Sequence, residues 1–185
     1  ISSGFQWAFM APTEILAEQH YANFMQWLEP LGIQVTLLMG THKGKVRGQK
    51  QSDIAGGQAQ MVIGTHALFQ QSVEFHSLGL IIIDEQHRFG VDQRQALQRK
   101  AAHGLMPHQL IMTATPIPRT LAMSVYADLD YSQIDELPPG RTPVKTAIIS
   151  ESKRDELITK IRDSCAQGQQ IYWVCTLIEE SEVMQ

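Results

Sequence analysis

Residues Leu78–Ile83 form an almost wholly apolar, isoleucine-rich run that ends abruptly in Asp84 and Glu85. A run without polar alternation suits a parallel strand buried on both faces, because a sheet with one wet face shows period-two patterning. Parallel strands require crossover connections, usually helices. The rest of the chain supplies both parts. Trp7–Ala11, Ile33–Met39, Met61–Ile63 and Gln109–Met112 read as further strands. Thr13 can cap a helix, with Glu14 in its positive first turn. Ala17, Tyr21, Phe24, Met25 and Leu28 recur along that helix until Pro30 and Gly32 stop it. Residues 43–55 and about 92–102 read as polar helices, and a short helix starts near Pro118. This alternation predicts an α/β fold, an open and mostly parallel sheet flanked by helices.

Apolar residues make up 43% of the 185, and Asp, Glu, Lys and Arg 18%, a core-forming balance that excludes a disordered chain. No run approaches the roughly 18 apolar residues of a membrane span, so no membrane partner is expected. The opening ISSGFQWAFMAPT lacks a basic start and leads into a helix cap, unlike a signal peptide. Cys165 and Cys175 cannot build a disulfide framework and fit a reducing compartment, which predicts a cytoplasmic location. The seven histidines are scattered without metal-ligand spacing. Net charge is −4, and it is unevenly placed: residues 1–127 sum to +1 and residues 128–185 to −5. Overall acidity argues against coating by nucleic acid, but Lys43, Lys45, Arg47 and Lys50 form a local basic cluster.

Leu137-Pro138-Pro139-Gly140-Arg141-Thr142-Pro143 breaks the pattern, because three prolines and a glycine can continue neither a helix nor a central strand. Residues 137–143 therefore read as a linker. Beyond it, Val144–Ile149 and Ile171–Cys175 read as strands around a helix. Ser152 and Asp155 have capping-box spacing there, Leu157, Ile158, Ile161 and Cys165 make its apolar face, and Gly168 closes it. This β-α-β piece is too small for a complete core. The expected organisation is most of one domain in 1–136 and the beginning of a second in 144–185.

In open parallel sheets, ligands gather at the carboxyl ends of the strands. Here those ends carry Pro12-Thr13, Gly64-Thr65, Asp84-Glu85 and Thr113-Ala114-Thr115. An acid at the tip of a buried strand can hold a metal shell while its neighbour polarises a water, which phosphoryl transfer requires. The same residues also fit a strand that simply ends in two solvated acids. Thr13 can offer a helix N-terminus to phosphate, or cap that helix and nothing more.

Taken together, Ala11-Pro12-Thr13-Glu14, Ile63-Gly64-Thr65-His66, Asp84-Glu85-Gln86-His87 and Thr113-Ala114-Thr115-Pro116 follow the order and rough spacing of motifs Ia, Ib, II and III of superfamily 2 helicases. The chain resembles the first RecA-like motor domain of that superfamily. The longer stretches APTEILAEQH, DEQHRFGVDQR, MTATPIPRTLAM, DELPPGRTPV and YWVCTLIEESE are similar to the bacterial branch-migrating DNA helicases. The resemblance implies ATP and Mg²⁺ as cofactors and branched or forked DNA as partner. It implies that Asp84 helps hold Mg²⁺, that Glu85 activates the attacking water, and that Gln86 and His87 face motif III. It further implies that Thr113 and Thr115 couple nucleotide to DNA, and that Pro12, Thr13, Gly64, Thr65 and His66 lie in motifs contacting the nucleic-acid backbone. Transcription-repair coupling translocases share the TATPIPRTL-like and RFGV-like stretches and form the alternative. A non-catalytic nucleic-acid-binding module on the same fold is a second one.

A motor of this class needs a phosphate loop, G-x-x-x-x-G-K-[ST], and the 185 residues contain none. Gly40-Thr41-His42-Lys43-Gly44-Lys45 lacks its spacing and its Lys-Ser/Thr pair. In the family that loop lies upstream, so the chain by itself is expected to be inactive. The basic residues Lys43, Lys45 and Arg47 are either a phosphate-contacting surface or one solvated helix face.

Overall fold

A computed structural model describes residues 4–101, 106–115 and 130–174, with the side chains of residues 91, 92, 94 and 95 left aside. The helix expected near Pro118 and the position of Cys175 lie outside the described residues. The chain divides into two compact units, Ile1–Leu129 and Asp130–Gln185.

The first unit is built on five parallel strands: β1 (Gln6–Met10), β2 (Val35–Leu38), β3 (Met61–Gly64), β4 (Leu78–Ile83) and β5 (His108–Ile111). Their order in the sheet is β2-β3-β1-β4-β5, so β2 and β5 are the outer strands. Helix α1 (Glu14–Leu28) connects β1 to β2, α2 (Gly44–Ala55) connects β2 to β3, and α3 (Val91–Gln98) lies between β4 and β5. Every strand and helix expected before residue 112 is present, with ends shifted by a few residues.

Alternation along the strands separates two cores. Phe9, Met61, Ile63 and Ile82 pack on one face with Ala17, Tyr21, Phe24 and Leu28 of α1. Ala8, Met10, Val62, Ile81 and Ile83 pack on the other with Ile54 of α2, Leu97 of α3 and Leu68 from the turn after β3. Burial on both faces is what the apolar character of β4 requires. Gln6 is the polar exception. It is buried, and its amide donates to the carbonyls of Ile54 and Ala59 while its Oε1 accepts the Ser77 N–H. All its polar groups are thereby satisfied without water, as burial demands.

The second unit contains a turn in which the Arg141 N–H bonds the Pro138 carbonyl, with Gly140 at φ +83°. It also contains helix α4 (Arg154–Ala166), preceded by a 3-10 turn over Glu151–Lys153. Three expectations are corrected here. Residues 144–149 and 171–174 form no strand and are exposed, since a strand exists only when another pairs with it and none of the described residues does. Ser152 does not cap α4: it sits inside the 3-10 turn with its hydroxyl 3.1 Å from that of Ser150. Cys165 is exposed and not part of a helix core. Gly168, at φ +82° and donating to the Cys165 carbonyl, does close the helix. No helix among the described residues is long and apolar enough to cross a membrane.

Candidate functional site

After β1 the chain leads toward β2, whereas after β4 it leads toward β5, on opposite sides of the β1–β4 pair. A crevice opens where connections diverge in this way, at the carboxyl ends of those strands. A cleft of about 450 Å³ lies there, lined by Pro12, Thr13, Leu16, Glu85, His87, Arg88 and Thr115. Sequence reasoning placed five of these seven at a ligand site, and the fold brings them together from three separate strand ends.

The wall from β1 is the start of α1. The Thr13 hydroxyl accepts the Leu16 N–H at 3.3 Å, and Glu14 occupies the first turn. This cap leaves the remaining first-turn N–H groups at the crevice, where the helix dipole favours an anion.

The wall from β4 is a short, unusual turn. Its ends are fastened to the neighbouring strands: the Asp84 N–H bonds the Met10 carbonyl at 2.9 Å, and the Gln86 N–H bonds the Met112 carbonyl at 3.3 Å. Between them Glu85 adopts φ +49°, ψ +55°, the one non-glycine residue at positive φ among those described. Such a backbone costs a glutamate about 1–2 kcal/mol, and strain of this kind clusters at functional sites. Glu85 Oε2 is buried without a hydrogen-bond partner, and His87 Nδ1 stands 3.4 Å from it, within ion-pair range. Gln86 is buried, and its backbone N–H ties the turn to the end of β5.

Asp84 is held by a residue that sequence reasoning missed. His20, on α1, places Nε2 3.1 Å from Asp84 Oδ2. The pair is separated by 64 positions, and no local pattern in the sequence could have joined them. Arg88 was missed too, although the DEQHRFGVDQR stretch contains it. Of the two threonines beyond β5, Thr113 accepts the Thr115 N–H at 3.2 Å and closes a local turn, and Thr115 faces the cleft.

The residues at the end of β3 and just beyond it sit differently. Gly64 is buried, and a Cβ there would lie 2.3 Å from the Leu38 carbonyl and 3.0 Å from Leu68, so glycine is demanded by packing. Thr65 is also buried, with Oγ1 lacking a partner. His66 is the exposed member, standing against Gly40 in the β2–α2 turn, whose Thr41 hydroxyl donates to Glu14 at 3.3 Å. Only His66 of these three offers a side chain to a ligand from solvent.

The basic cluster divides as well. Arg47 donates to the Met39 carbonyl and to Gln70 Oε1, and Lys50 donates to the Leu37 carbonyl at 2.6 Å. Burial lowers the Lys50 pKa. Burial, and then the Lys50 charge, lowers that of His42, whose Nδ1 accepts the Met39 N–H. These cations brace the β2–α2 turn. Lys43 and Lys45 are exposed and make no hydrogen bond or ion pair among the described residues.

A parallel sheet, a crevice at its switch point and a strained acidic turn define a RecA-like motor fold, and the chain belongs to the DEAD/DEAH box helicase family, whose model matches residues 1–124. It is similar over its whole length to the ATP-dependent DNA helicase RecG of Escherichia coli O157:H7, at 62% identity, and to RecG of Haemophilus influenzae, at 60%. The chain spans 27% of the length of each. Among solved structures, a RecG bound to a three-way DNA junction matches 89% of this chain and 22% of its own, with a TM-score of 0.71 and 42% identity.

Proposed function

We propose that this chain is part of an ATP-dependent DNA helicase of the RecG kind that remodels branched DNA in recombination and repair. In this reading 1–136 is most of the first motor domain, 137–143 a linker and 144–185 the start of the second. The observation that carries it is the turn at Asp84–Gln86: a glutamate kept in a strained conformation, with His87 in ion-pair range of its carboxylate, at the edge of an open crevice. The extended similarity to RecG, and the three-way junction held by one of those relatives, support branched DNA as substrate. They do not favour the transcription-coupled alternative or the non-catalytic one.

The residues present fit Mg²⁺-ATP. Among those described there is no group of three or more His, Cys, Asp or Glu able to cage a metal alone. That suits an ion held by one or two carboxylates together with phosphate oxygens and water. Asp84 would hold it, and the bound ion would neutralise phosphate charge. Glu85 lines the cleft with its side chain partly exposed, so its carboxylate can orient a water and accept its proton. The α1 N-terminus and Arg88 supply positive potential at the cleft. The phosphate-cradling loop is not among these 185 residues. Thr115 shares the cleft with Glu85, and the Gln86–Met112 bond joins the acidic turn to the strand end bearing Thr113, a route for coupling hydrolysis to DNA. Thr13 and His66 are exposed members of the motif Ia and Ib segments, and Pro12 lines the cleft beside Thr13.

In the full-length protein, Glu85→Gln should lower DNA-stimulated ATP turnover at least about 100-fold while nucleotide binding survives, because an amide keeps the size but cannot take the proton. Asp84→Asn should weaken Mg²⁺-dependent binding as well. Wild-type turnover by the Glu85→Gln protein would overturn the assignment.

A further inference from the structure

We infer that His20 is a positioning residue that fixes the carboxylate of Asp84 for its metal; the inference rests on the reading of Asp84 given above. His20 is seven residues into α1, the helix whose first turn lines the cleft. Its Nε2–H donates to Asp84 Oδ2 at 3.1 Å, leaving Oδ1 without a partner among the described residues. The imidazole is not a loose surface group. Its ring packs on Phe9 of β1, with centroids 4.5 Å apart, and Phe9 in turn meets Phe24 edge-on at 5.4 Å. The His20 and Asp84 side chains are only 28% and 21% exposed.

Asp84 is thus fastened twice to the same structural piece. Its backbone N–H is held by Met10 at the end of β1, and its carboxylate by His20 on the helix that follows β1. A carboxylate bonded through one oxygen cannot swing freely about its side-chain torsions, so the other oxygen is presented in one direction. A partner that orients a metal-binding carboxylate typically contributes 10–100-fold in metal affinity or activity. The ring packing distinguishes this pair from an exposed ion pair, whose long side chains must be ordered for little gain.

The test uses the full-length protein and three substitutions. His20→Phe keeps a ring against Phe9 and removes the donor. His20→Gln carries an amide N–H to about the reach of Nε2, and His20→Asn stops one methylene short. Three readouts are taken: the Mg²⁺ midpoint for binding a fluorescent ATP analogue, kcat and KM for ATP, and the thermal midpoint. His20→Phe should raise the Mg²⁺ midpoint about 10-fold or more and lower kcat, with a thermal midpoint near wild type. His20→Gln should recover most of that loss and His20→Asn should not. A wild-type Mg²⁺ midpoint in folded His20→Phe overturns the inference. If His20→Phe does not fold, equal Mg²⁺ midpoints for the Gln and Asn proteins overturn it. Asp84→Asn separates the two levels. If it leaves Mg²⁺-dependent binding intact, the reading of Asp84 fails; if it abolishes that binding while His20→Phe is neutral, only the role of His20 fails.

Discussion

Glu85 pays twice for its position, in backbone strain and in a buried oxygen that accepts no hydrogen bond. Left-handed backbone costs a non-glycine residue about 1–2 kcal/mol, and the extra freedom of an unfolded glycine returns about 0.5–1 of that. Glu85→Gly should therefore stabilise the protein by about 1 kcal/mol while destroying turnover. A urea unfolding midpoint that rises with an unchanged slope would verify it, and a lowered midpoint would show that the carboxylate is bound more favourably than its surroundings indicate. Stability and activity pulling apart at one residue is the mark of a site shaped for chemistry. That Asp84 and Glu85 stand at the carboxyl end of a buried strand was legible in the sequence, because an apolar run ending in two acids is visible without a structure. The conformation of Glu85 was not legible, since it is imposed by anchoring Asp84 and Gln86 to two different strands. His20 was invisible for a related reason: its partner is reached only through the pairing of β1 with β4.

Helix α2 and the residue before it show how one basic run can divide between inward and outward side chains. The sequence presents four cations in eight residues, yet Arg47 and Lys50 turn inward to the carbonyls at the end of β2. Lys43 and Lys45 alone remain for an external phosphate. Replacing both with Ala in the full-length protein should weaken DNA binding equally across sequences. It should also flatten the dependence of log K on log salt by up to about 0.9 per lost contact. Arg47→Ala should leave that slope unchanged and lower the thermal midpoint instead. An unchanged slope in the double lysine variant would return the whole helix face to solvent. The elements of the first unit were readable because each carries its own periodicity and its own stop signal, as α1 does between Thr13 and Pro30. Val144–Ile149 has an equally strand-like composition and forms no strand, because pairing is a property of two segments while composition belongs to one.

At the scale of the whole molecule, the acidic turn, the capped helix and Thr115 meet in one crevice, but no phosphate loop is present to hold a triphosphate against them. The purified 185-residue chain should bind Mg-ATP weakly and show no DNA-stimulated hydrolysis. A sensitive phosphate-release assay, with the Glu85→Gln chain as contamination control, decides this. Saturable turnover lost in that control would mean that the crevice alone assembles a nucleotide site. The order of the strands carries a practical corollary for such work. Among the described residues β5 pairs only with β4, so its outer side has no strand partner there, next to a half-exposed Leu110. Unprotected sheet edges template self-association. A proline or lysine placed in His108–Ile111 should therefore lower the self-association of the isolated chain at high concentration, a change that light scattering would read.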